Sequence, residues 1–169
     1  MRTTILAVFS TYHVEEFVMH FKPVKDFLSY IEECHRALAD FYRRLSFEVN
    51  NEKVKLLLDF MINKEQLSYL QLHQYKQQAP PSLLETGLDN GFDHDFPIKC
   101  QQMALKAELS IDEVVALAMN FDIQLIELIQ TAAYNAPTIE AEIALDKLTN
   151  QEEETLHNVV MASHEFEYM

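Results

Sequence analysis

The sequence is poor in the residues that punctuate a chain. Two glycines and five prolines in 169 residues leave few places for tight turns. All-β folds turn often and use more of both, so the shortage points to long helices with few connections. Basic residues are scarce as well, 13 against 27 acidic ones, for a formal net charge of −14. With no basic surplus to neutralise phosphates, nucleic acid is not expected as a partner. Such a chain draws cations, and most of its carboxylates are expected to form a solvated surface. Cysteine is limited to Cys34 and Cys100, too few for a disulfide framework. Reduced thiols and a cytoplasmic location are the expectation. No apolar run approaches the length of a membrane span, so no membrane partner is expected. The apolar stretch Ile5 to Phe9 is too short for a signal peptide, and no small-residue cleavage site follows it.

What the chain does have is helical periodicity. Its length suits one domain with a sizeable core, here residues 23–169, preceded by an N-terminal extension over 1–22. Pro23 suits the start of a helix. From Val24 to about Phe47, Leu28, Ile31, Leu38, Tyr42 and Leu45 recur at the three-four spacing of a core-facing stripe. Asn50 and Asn51 supply a turn and an N-cap, and a second helix follows from about Glu52 to Gln77, ended by Pro80-Pro81. A long connection over 79–109 holds a turn at Leu88-Asp-Asn-Gly91 and a short helix around Ile98 to Leu109. Ser110-Ile-Asp-Glu113 has the form of a capping box and opens a third helix to about Tyr134. Asn135-Ala-Pro-Thr138 breaks it, and a fourth helix runs from about Ile139 to Phe166. Hairpin, long crossover, hairpin is the order of a bundle with one crossover connection.

The two hairpins resemble one another. A shift of 87 positions (152 − 65) lays Leu58 on Leu145, Asp59 on Asp146, Asn63 on Asn150 and Glu65 on Glu152. The same shift lays Leu28 on Val115, Leu38 on Leu125 and His35 on Asp122. Each helical stripe is apolar except near its middle, where one ionisable residue stands: His35, Glu65, Asp122 and Glu152 in turn. On the second and fourth helices a hydroxyl follows three residues later, Ser68 and Thr155. Four ionisable groups at one depth need partners, because a lone buried charge is very costly. They can pair with one another, bind water or coordinate a metal ion.

These motifs resemble those of the ferritin-like superfamily, in particular the rubrerythrin-like di-iron carboxylate bundles. His35-Arg-Ala-Leu-Ala-Asp-Phe-Tyr42 is similar to the first-helix motif, in which a Glu precedes a Phe-Tyr pair. Met61-Ile-Asn-Lys-Glu65-Gln-Leu-Ser68 and Leu148-Thr-Asn-Gln-Glu152-Glu-Glu-Thr155 are similar to its Glu-x-x-His motifs. The resemblance implies an all-α ferritin-like four-helix bundle and a homodimer. It also implies metal-site positions at His35, Glu65, Asp122 and Glu152, with Ser68 and Thr155 where the family has histidines. The site is degenerate: His35 replaces a Glu, Asp122 is short, and both motif imidazoles are gone. Two functions stay open. One is a non-catalytic dimeric or partner-binding protein with an altered polar core. The other is an iron- or manganese-binding oxidoreductase or iron-handling protein, holding one iron, manganese or zinc ion.

Other polar residues are expected to be structural. Glu32 and His35, with Glu154, His157, Glu65 and Glu127, would also supply a six-ligand set. Glu32 and Glu127 are, however, offset from their stripes and His157 shares a polar face. Cys34 is expected to be a packing thiol, Tyr42, Tyr69 and Tyr75 packing residues, and Asp93-His94-Asp95 a solvated loop. No phosphate-cradling glycine loop and no nucleophile-and-base pair is present.

Overall fold

The computed structural model describes residues 22–89 and 94–169. Four long helices carry the fold: α1 (Val24–Glu48), α2 (Glu52–Gln78), α5 (Ile111–Tyr134) and α6 (Ile139–Tyr168). The crossover holds α3 (Pro81–Leu84) and α4 (Phe96–Gln102). Its Gly87–Leu88, strand β2, pairs antiparallel with β1 (Lys22–Pro23). The extension expected over 1–22 lies outside the described residues except for Lys22, as does the second half of the Leu88–Gly91 turn.

Local chemistry sets the helix ends. The Asn51 side chain accepts from the backbone N–H groups of Lys53 and Val54 at 2.9 and 3.3 Å, satisfying donors the first turn of α2 leaves free. At α5 the capping box forms in full: Glu113 N–H donates to Ser110 Oγ at 3.1 Å, and Ser110 N–H to Glu113 Oε2 at 2.8 Å. The Thr138 hydroxyl caps α6 through the Ala141 N–H at 3.2 Å.

α1 packs on α2 and α5 on α6, while α2 touches both helices of the second hairpin. The core includes Phe27, Leu38, Phe41, Tyr42, Leu58, Met61, Leu125 and Ile129. Phe121 meets Phe41 edge-on at 5.4 Å and Phe96 at 5.7 Å, which docks α4 onto the bundle. Arg44 secures α4 from α1, donating through Nη2 to the Cys100 carbonyl at 2.9 Å near the C-terminal end of that helix. Cys34 and Cys100 are free and buried; burial pushes both thiols up, Cys100 to about 12, so neither is primed for redox chemistry.

The structure corrects some sequence expectations. The short crossover helix begins at Phe96 and ends at Gln102, with Pro97 in its first turn. Tyr75, expected to be a packing residue, is exposed, although Leu72 before it and Ala79 after it are buried. By length and composition α5 is apolar enough to cross a membrane, a feature the sequence expectation overlooked. In the bundle its apolar stripe is buried, and Asp122 lies among those buried residues.

Candidate functional site

One polar cluster occupies the middle of the bundle, and each long helix contributes to it. His35 comes from α1, four residues after buried Ile31 and three before buried Leu38, so it falls on the core stripe. Glu65 holds the equivalent place on α2, Asp122 on α5 and Glu152 on α6, and all are buried. The four residues singled out by sequence therefore come together. A fifth joins them that sequence reasoning missed: Lys64, whose side chain is 8% exposed.

Lys64 ties the cluster together. Its Nζ lies 2.9 Å from Glu65 Oε1 and donates to Asp122 Oδ2 at 2.8 Å. On the other side, His35 Nδ1 shares a hydrogen bond with Glu65 Oε2 at 2.7 Å. His35 Nε2 is 3.2 Å from Glu152 Oε1, within ion-pair range but outside hydrogen-bond geometry. The chain of contacts runs Asp122, Lys64, Glu65, His35, Glu152 across all four helices. The Tyr42 hydroxyl is buried near Asp122 and Glu65 without a hydrogen-bond partner, and burial beside those charges holds the phenol well above its usual range.

Burial and charge oppose each other at every member. Burial alone would lower the His35 imidazole, but Glu152 and Glu65 overcome it and raise the group to about 10, an imidazolium at neutral pH. Burial disfavours the Lys64 ammonium too, yet Glu65 and Asp122 hold it protonated. Glu65 is lowered despite burial because Lys64 and His35 flank it. The Lys64–Asp122 bridge is one-sided. Burial raises Asp122 and, with smaller pushes from Glu65 and Glu152, outweighs what Lys64 returns, leaving it at about 6.

Ser68 and Thr155 take no part in these bonds. The Thr155 hydroxyl donates to the Gln151 carbonyl at 2.6 Å, and both residues line a cavity beside Glu152. Glu32, expected to lie off the stripe, is buried. It forms a separate cluster with Lys76 Nζ at 2.8 Å and His73 Nδ1 at 3.2 Å, because these two side chains of α2 reach over to α1. Glu127, Glu154 and His157 are exposed, so the alternative six-ligand set is not assembled. Asp93 lies outside the described residues, and His94 packs edge-on against Tyr30 at 4.8 Å.

The residues do not fit a two-metal centre. Lys64 presents an ammonium, which has no lone pair, to the oxygens of Glu65 and Asp122 that would face the ions. It also supplies positive charge where metal would, and no imidazole stands at 68 or 155. Among the described residues, no group of three His, Cys, Asp or Glu is arranged to hold a metal ion.

No protein-family model and no curated protein matches the sequence. Among solved structures, the chain is similar to a protein of Thermotoga maritima that carries the provisional name of a ferritin-like diiron-carboxylate protein. The TM-score is 0.56 at 20% sequence identity, over 86% of this chain and 97% of that one. At that identity the likeness speaks for architecture alone. With the likeness spanning most of the chain, and the helices ordered as hairpin, crossover and hairpin, the fold of this chain is ferritin-like.

Proposed function

We propose that this chain is a non-catalytic ferritin-like bundle, a cytoplasmic protein that works through its surface as a homodimer or partner-binding module. Its core ion network takes the place of a metal centre. The observation that carries this proposal is Lys64, buried between Glu65 and Asp122, because one fixed ammonium occupies the oxygens a metal would need. Exposed apolar pairs support a surface role: Leu67 and Leu70 on α2, and Met119 and Ile123 on α5, each pair one helical turn apart and turned outward.

Protein loaded with iron, manganese or zinc and freed of excess is expected to retain well below one equivalent by elemental analysis. Stoichiometric metal that disappears in the Glu65→Ala/Glu152→Ala variant would overturn the proposal and establish a metal-binding, iron-handling or oxidoreductase protein instead. In solution, light scattering is expected to give twice the 19.7 kDa chain mass. A monomer that stays monomeric at high concentration removes the dimer from the proposal.

A further inference from the structure

A cavity of about 150 Å³ lies between α2 and α6. Its walls are largely aliphatic, with Leu28, Leu72 and Leu145 among them; its polar lining is Ser68, Gln71, Gln151, Thr155 and Glu152, with the exposed Lys147 also on its edge. Small hydroxyl residues at 68 and 155 leave this space, which a bulkier side chain at either place would fill. The volume is comparable to that of an engineered apolar cavity able to hold benzene, so a ligand of about six heavy atoms is the right size.

Charge fixes the ligand's head group. The core network holds three carboxylates, Glu65, Asp122 and Glu152, against Lys64 and His35. Even with both bases protonated, one negative charge is left over. Its location follows from the partners. Lys64 contacts both Glu65 and Asp122, and His35 Nδ1 bonds Glu65, whereas Glu152 has only the misaligned His35 Nε2 at 3.2 Å. Glu152 thus has no aligned hydrogen-bond donor, its side chain is 93% buried, and it is the network carboxylate that lines the cavity. A buried carboxylate in that position gains most from a charged donor.

We infer that the cavity is a binding site for a small primary amine with a short aliphatic tail. The ammonium donates to Glu152 and the tail lies against the leucines. The inference rests on the metal-free network, since a bound cation would cancel the excess charge.

The test is a titration of the full chain with n-pentylamine, n-pentanol and pentanoate, followed by amide chemical shifts. The amine is expected to bind at least about tenfold more tightly than the alcohol, and pentanoate not at all. Glu152→Gln should bring amine and alcohol to within about twofold of each other. Ala144→Phe, which fills the cavity from α6, should weaken the amine at least about tenfold. Ser68→Leu fills it from α2 and serves if Ala144→Phe does not fold. Equal binding of amine and alcohol to the unaltered chain, or undiminished amine binding in a folded cavity-filled variant, would sink the inference. Elemental analysis of the same sample separates the failures. Stoichiometric metal defeats the proposed function as well, whereas metal-free protein that ignores the amine defeats this inference alone.

Discussion

Replacing Lys64 by Met lowers the free energy of unfolding by about 3–5 kcal/mol, read from urea or guanidinium midpoints. The substitution keeps an unbranched apolar stem and removes the ammonium with its charge and donors. Glu65 and Asp122 then face each other across a dry core without the ammonium that now lies within 2.9 Å of both. Removing one partner of a buried pair costs far more than the pair's net worth, because the remaining charge is stranded. The loss should shrink at lower pH, where Asp122, already at about 6, takes up a proton. It should also shrink in the Lys64→Met/Asp122→Asn double variant, with a coupling energy of about 1–3 kcal/mol. A gain of function is expected alongside. Lys64→Ala frees carboxylate oxygens near His35, so manganese or zinc should raise its melting temperature while leaving the unaltered protein unmoved. A loss below about 1 kcal/mol for Lys64→Met would mean that the ammonium does not hold the network together.

The four long helices were legible because their signal is long-range in sequence and simple in physics. Twenty-odd residues of three-four spacing, free of glycine and flanked by Asn51, Ser110 and Thr138 as caps, leave little choice of structure, and the ends fell within two residues of expectation. The two-residue pairing of Lys22–Pro23 with Gly87–Leu88 carries no such signal, since it depends on the crossover folding back to α1. In the core, His35, Glu65, Asp122 and Glu152 were found because an ionisable residue in an apolar stripe contradicts its surroundings. Lys64 was missed because it stands beside Glu65, and adjacent helical positions do not share a face. A four-carbon stem defeats that rule by reaching round the helix. The signal was there: Lys64 lies seven residues after Leu57 and three after Met61, both fully buried. Glu32 misled because its partners, Lys76 and His73, stand on the next helix more than forty residues along the chain, where the stripe of α1 gives no sign of them.

Stability should fall steadily as pH rises above neutrality, and His35 should be the cause. Its folded value is raised to about 10 from an ordinary 6.5. A raised group contributes fully below its unfolded value and loses that contribution as pH climbs to its folded one. The window is therefore pH 6.5 to 10, and the whole effect is on the order of 3–5 kcal/mol. The buried thiols and Tyr42 are raised too, but their unfolded forms ionise only near 9 and 10. Between about pH 7 and 8.5 the slope belongs chiefly to His35, at about 1.4 kcal/mol per pH unit. The acid side has the opposite shape. Asp122, raised to about 6 from 3.8, adds stability as pH falls between those values, until protonation of lowered Glu65 reverses the trend. Unfolding midpoints across pH 4 to 9 check the profile. His35→Gln should abolish most of the slope between 7 and 8.5, because no other described histidine is buried. It should also cost several kcal/mol at pH 7, since the imidazolium it removes joins the carboxylate of Glu65 on α2 to that of Glu152 on α6. An unchanged slope in that variant would place the titrating group elsewhere and leave Glu65 and Glu152 joined by something other than a charged imidazole.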